Sequence, residues 1–180
     1  MSASLSFRVG DKVVYPNHGV GVIEHIASRA VGDTCQDYYL LKIESSNLRV
    51  MIPFTNVASV GMRALTQARE LALILTYLQE PPAALGPADW KWRFKENSDK
   101  MRAGSLAQIA EVLKNLVQLH QTKPLSFREK KMLDRAVMLL TGEMASAKNM
   151  PVEDALALLQ ETLAHATLVL PPLDPDTEHA

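Results

Sequence analysis

The sequence predicts an α+β fold, a small five-stranded β-barrel followed by an all-α helical bundle. Three observations predict it. Up to about residue 61 the chain reads as short β-branched runs, with turn residues about every 8–12 positions. From Thr66 onward apolar residues recur at helical spacing. Turn chemistry divides the first part, while capping residues and prolines divide the second.

The β part begins with Asp11-Lys-Val-Val-Tyr15, stopped by Pro16-Asn-His-Gly19. Gly19 to Ile26 resumes with β-branched residues. A turn is expected at Gly32-Asp33, then a strand over Asp37–Ile43 and a turn at Ser45-Ser46-Asn47. Leu48–Ile52 alternates and ends at Pro53, and Asn56–Val60 is the last short strand before Gly61.

In the helical part Thr66 can cap a helix reaching Gln79, ended by Pro81-Pro82. Residues 81–88 form a linker-like break. A second helix starts at about Asp89 and runs through Arg102, with Gly104 at its C-terminal cap. Ser105-Leu-Ala-Gln108 and Ser126-Phe-Arg-Glu129 both have the capping-box form. Pro151 suits the first turn of a last helix reaching about His165. The expected organisation is a disordered 1–6, a β-domain over 7–63, a helical domain over 64–166, and an acidic, Pro-rich flexible tail over 167–180.

Composition narrows the function. Cys35 is the only cysteine, which excludes an internal disulfide and a multi-cysteine zinc site. The five histidines show no metal-ligand spacing, and no phosphate loop occurs. Gly19-Val-Gly21 lacks the third glycine and the helix of a dinucleotide site. No nucleophile, metal or cofactor constellation asks for catalysis, so no cofactor and no enzymatic activity are expected. No secretory leader opens the chain and no apolar run is long enough for a bilayer, so the expected location is the cytoplasm, without a membrane partner.

A net charge of −1 hides a segregation. Residues 90–135 carry eleven Lys/Arg against five Asp/Glu, whereas residues 136–180 carry one against seven. A basic block of this kind raises the expectation of nucleic-acid contact. Its densest part is Asp89-Trp-Lys-Trp-Arg-Phe-Lys-Glu-Asn97, where three aromatics alternate with three cations. On a helix Trp90 and Phe94 share a face, as do Lys91 and Lys95, while Trp92 lies about 160° from Trp90. One tryptophan can then be core and the other exposed. The cations can neutralise phosphates, and an exposed indole can stack on or wedge against a base. The competing reading is an amphipathic helix whose aromatics are all core. Arg128, Lys130 and Lys131 open a second basic helix, with Arg128 and Lys131 on the face of Arg135.

Four stretches together resemble the CarD/CdnL bacterial transcription regulators. They are Phe7-Arg-Val-Gly-Asp-Lys-Val-Val-Tyr-Pro-Asn-His-Gly-Val-Gly21, Val50-Met-Ile-Pro53, Trp90 with Arg93 and Lys95, and Leu125-Ser-Phe-Arg-Glu-Lys-Lys-Met-Leu-Asp134. The first half of the opening is shared with the polymerase-interacting domain of transcription-repair coupling factor. The resemblance covers about residues 7–165 in the same order.

It implies a Tudor/SH3-like N-terminal domain that grips the β subunit lobe of RNA polymerase. It also implies a helical C-terminal domain that contacts promoter DNA, with little sequence specificity, at the upstream edge of the bubble. Arg29, Leu41, Met51 and Pro53 fall at matching polymerase-contact positions, and Arg49 opens the candidate edge strand. Trp90 matches the wedging tryptophan and Arg93 and Lys95 the cations beside it; Trp92 stands where others often carry a cation, so either indole can be the wedge. The implied function is to stabilise the open complex as a monomer. The rival readings are a Tudor-like protein-interaction module, with Tyr15, Tyr38, Tyr39 and Phe54 as the aromatics for a cage, and a dimeric sequence-specific repressor.

Overall fold

The structure is a computed structural model and describes residues 6–85 and 89–174. The chain folds as two compact units, Met1–Leu65 and Thr66–Ala180. No helix among the described residues is long and apolar enough to cross a membrane.

The first unit is a five-stranded antiparallel sheet built from β1 (Lys12–Tyr15), β2 (Gly19–Val31), β3 (Thr34–Ile43), β4 (Arg49–Pro53) and β5 (Arg63–Ala64). The strand order is β4-β3-β2-β1-β5. The expected barrel is therefore an open sheet among the described residues, because β4 and β5 are its two edges and do not pair. Pro16 and Asn17 make the turn between β1 and β2, with Asn17 at φ 65° and His18 N–H donating to the Tyr15 carbonyl at 3.0 Å. Proline second and a left-handed asparagine third is the signature of a type II turn. Gly32 (φ 63°) turns β2 into β3 where Val31 faces Thr34. Val13, Ile23, Tyr39, Leu41, Ile43 and Ile52 alternate inward and form the core with Val57 and Met62.

Gly21 pairs with Val13 on one side and Ile43 on the other. A Cβ there would lie 2.8 Å from Leu41 Cδ1 and 2.9 Å from the Lys42 carbonyl oxygen. Close approach of strands, and not ligand binding, explains this glycine.

The expected strand over Asn56–Val60 is helical. A 3-10 turn over Phe54–Asn56 leads into α1 (Val57–Val60), and Gly61 at φ 75° ends it. Val57 is buried and Val60 packs on the same core, three residues apart on one helical face. The fifth strand comes later, at Arg63–Ala64, against Val13 and Val14.

The second unit holds α2 (Ala68–Gln79), α3 (Trp90–Ala103), α4 (Leu106–Thr122), α5 (Phe127–Lys148) and α6 (Val152–His165). Leu71, Ile74, Leu78, Leu113, Leu116, Leu140, Met144, Leu159 and Leu163 belong to its one large core. Thr66 does not cap α2. Gln67 takes that position, and Thr66 is buried, donating its backbone N–H (2.8 Å) and its hydroxyl (2.6 Å) to Glu143 Oε1 of α5. A buried carboxylate needs such donors, and satisfying it outweighs the cap. Ser105 precedes α4 without a side-chain cap bond. Ser126 does form its capping box with Glu129.

Part of the expected flexible tail is packed. After α6, Thr167 (φ 57°) reverses the chain, and Gln121 Nε2 donates to its carbonyl at 2.7 Å. Leu168 is 1% exposed, while Leu170 and Leu173 lie against the core. Apolar burial holds this stretch despite its prolines. Residues 175–180 of the tail, residues 1–5 of the N-terminus and residues 86–88 of the linker lie outside the described residues.

Candidate functional site

In the first unit β4 is a sheet edge. Val50 and Ile52 point toward the core, which turns Arg49 and Met51 outward. Arg49 Nε hydrogen-bonds Glu24 Oε2 at 2.9 Å, and this bond holds the Glu24 carboxyl below its usual range. Met51 is exposed, and Pro53 ends the pairing opposite Tyr38. Arg49, Met51 and Pro53 thus share one edge. Arg29 is exposed on the β2–β3 hairpin, paired with Gln36. Leu41 must be corrected as a contact residue, because it is 0% exposed. Its alternation with Tyr39 and Ile43 places it in the core. The four aromatics build no exposed cage, since Tyr39 is buried with its ring stacked on Phe54 at 4.1 Å.

In the second unit α3 opens at Asp89, whose carboxylate accepts from Lys91 N–H at 2.9 Å. The buried residues of α3 are Asn97 and Met101, with Phe94 half-buried. Neither tryptophan is core. Trp90 is 54% exposed and Trp92 52% exposed, so neither the arrangement with one core indole nor the reading with all aromatics in the core holds. They differ in surroundings. Trp90 lines a groove of about 730 Å³ with Lys123, Pro124, Leu125, Phe127 and Arg128, whereas Trp92 does not line it.

The groove lies at the N-termini of α3 and α5. Both ends are already capped, the first by the Asp89 carboxylate on Lys91 N–H and the second by the Ser126–Glu129 capping box, so what favours an anion here is the set of exposed cations around the groove. Lys91 sits 5.9 Å from the centre of the Trp90 ring. Lys91, Lys95, Arg128 and Lys130 are exposed, and none has a carboxylate partner among the described residues. Lys131 is engaged, 3.2 Å from Asp174.

Arg93 departs from the expected phosphate contact. Its side chain is only 12% exposed and turns inward, with Nη2 3.8 Å from Glu129 Oε1. Burial raises the Glu129 carboxyl, but the backbone and side-chain hydrogen bonds of Ser126 and the charges of Arg93 and Lys123 outweigh it, leaving the carboxyl below its ordinary value of 4.5. A depressed folded value stabilises the fold above the unfolded value, and this contribution disappears as pH falls through the folded one. Glu129→Gln keeps a side chain that can close the capping box and removes the charge. Its melting temperature is expected to lie below that of the wild type at pH 6, and the gap to close as pH falls from 4.5 through the lowered folded value. Thermal melts across that range check the convergence, and a gap that stays constant with pH would refute it.

Phe127 is a residue that sequence reasoning missed. It is 73% exposed, with Lys131 5.8 Å from its ring centre, and it lines the groove beside Trp90. Its signal was present, since it stands one turn before Lys130 and Lys131 and off the inward face of Leu133, Ala136 and Leu140. Lys123 is legible as one cation of the basic block but not as part of the site, because it lies just past α4, outside any helical pattern.

The comparisons agree with this division of the chain. Residues 7–66 match the family described as CarD-like/TRCF RID domain, and residues 73–160 match CarD, C-terminal domain. The Bacillus subtilis (strain 168) protein named "Putative transcription factor YdeB" is 36% identical over 146 residues, which cover 79% of this chain and 92% of that protein. With one matched segment in each unit, and a relative matched over nearly its whole length, the chain belongs to the CarD family of transcription regulators.

Proposed function

We propose that this protein binds the β subunit lobe of bacterial RNA polymerase through the β4 edge and stabilises the open promoter complex through the groove beneath Trp90. The observation that carries the reading is the half-exposed Trp90 indole, set between two helix N-termini with Lys91, Lys123 and Arg128 around it. Cations neutralise backbone phosphates without reading sequence. An indole beside them can stack on a base that has left the duplex. Trp90, and not Trp92, is the wedge in this reading, because only Trp90 faces the groove. Lys91, Lys95, Lys123, Arg128 and Lys130 supply phosphate contacts, while Arg93 acts as a positioning residue that braces α3 against α5.

The β4 edge suits strand addition. It offers backbone groups that no described residue pairs along the strand, an outward Met51 and a terminating Pro53. Anchoring one unit on the polymerase raises the effective concentration of the other at the promoter, so weak DNA contacts suffice. In this reading the protein acts in the cytoplasm as a monomer, through binding and not catalysis.

The test is transcription by purified bacterial polymerase from a ribosomal-type promoter, with and without the protein. Met51→Glu places a charge on the β4 edge at an exposed position. It is expected to weaken polymerase capture at least tenfold while leaving affinity for free DNA within twofold. Unchanged capture would remove β4 from the polymerase contact, and no effect of the wild type on open-complex formation would remove the whole proposal.

A further inference from the structure

The stretch that follows α6 leads back to the basic surface. Leu168, Leu170 and Leu173 anchor it on the helical core, and Pro171 to Asp174 line a second groove, of about 340 Å³, against α4 and α5. Phe127, Lys130 and Lys131 form part of the other wall. Phe127 and Leu125 also line the groove that holds Trp90, so the two grooves share a border. Asp174 Oδ2 sits 3.2 Å from Lys131 Nζ. Its carboxylate takes the place on Lys131 that a phosphate oxygen would take, at the edge of the candidate nucleic-acid interface.

We infer that Leu168–Asp174 is an intramolecular competitor of DNA, a strap whose terminal carboxylate masks Lys131 until a phosphate displaces it. The inference rests on the proposed DNA-binding role of the Trp90 groove and adds a built-in regulator to it. The anchoring and the mask are separate. Leucine burial fixes the strap, whereas the Lys131–Asp174 pair is exposed on both sides and therefore weak. A weak pair can be exchanged for DNA without unfolding the strap. Displacement is self-limiting, because the anchored segment stays next to Lys131 at high effective concentration. Lys131 is thus a cation whose availability the chain itself controls, unlike Lys91 or Arg128.

The experiment measures the affinity of the full chain for a fluorescently labelled forked duplex by anisotropy at low salt. Asp174→Asn is expected to tighten binding about threefold, the scale of an exposed ion pair. Glu161→Gln makes the same charge change at an exposed site on α6 that lines neither groove, and should alter affinity less than 1.5-fold, roughly the ionic background. In a Lys131→Gln background, Asp174→Asn should add nothing beyond that control, because the cation it unmasks is gone. Equal effects of Asp174→Asn and Glu161→Gln overturn the competitor role, as does a threefold gain that persists without Lys131. If Trp90→Ala weakens fork binding while Asp174→Asn leaves it unchanged, the strap inference alone falls. If wild type and Trp90→Ala bind the fork equally, the interface on which it rests falls with it.

Discussion

Replacing Trp90 by alanine is expected to shorten the lifetime of the open promoter complex about tenfold, with polymerase capture unchanged. Stacking of one base on an aromatic ring is worth about 1–3 kcal/mol, and about 1.4 kcal/mol corresponds to a factor of ten. Only the part of this energy gained with separated strands, and not with paired ones, shifts the equilibrium. The indole is half-exposed before DNA arrives, so little internal packing is lost on truncation. Trp92→Ala is the internal comparison. Its ring is as exposed but lies off the groove, and its effect on lifetime should stay within about twofold, the range of a peripheral contact. Decay of heparin-challenged complexes on a responsive promoter gives the lifetimes. Identical decay for Trp90→Ala and wild type would end the wedge mechanism.

The second large effect is on stability. Gly21→Ala should destabilise the β unit by about 1–3 kcal/mol, the usual cost of overpacking a tight site. The new methyl group would meet the Lys42 carbonyl, which is backbone and cannot swing aside, as well as Leu41. For a unit of this size such a loss lowers the melting temperature by roughly 4–8 °C per kcal/mol. The helical unit should melt as before. Both tryptophans lie in that unit, so tryptophan fluorescence follows it alone, while the methyl resonances of Ile23 and Ile43 report on the sheet. A wild-type midpoint for those methyl groups in Gly21→Ala would show that the strands can part to admit a side chain.

Much of the architecture was legible in the sequence because its cues are local. Pro16-Asn17 and Gly32 announced their turns, Gly104 its helix end, and Ser126 with Glu129 its capping box. The errors arose where a distant residue decides. Thr66 has the form of a cap, yet Glu143 takes its donors, and nothing near Thr66 announces a carboxylate 77 positions later. Arg93 reads as one more cation of α3 until Glu129 of another helix draws it inward. Asn56–Val60 is too short for period to separate strand from helix. Prolines and acids made the stretch after Thr167 look unstructured, whereas three leucines settle it on the core. Leu41 is a different case. Its alternation with Tyr39 and Ile43 already pointed inward, and that local signal should have outweighed the position implied by resemblance.

The two margins of the sheet are unequal. β5 contributes two residues, Arg63 and Ala64, while β4 contributes five. β4 is not the only bare ladder among the described residues, because β1 pairs with β2 only as far as Val22 and β4 with β3 only from Tyr38, so the outer end of the β2–β3 hairpin has neither beside it. The hairpin end that carries Arg29 therefore offers backbone groups of its own, apart from those of β4, and occupation of one ladder leaves the other open.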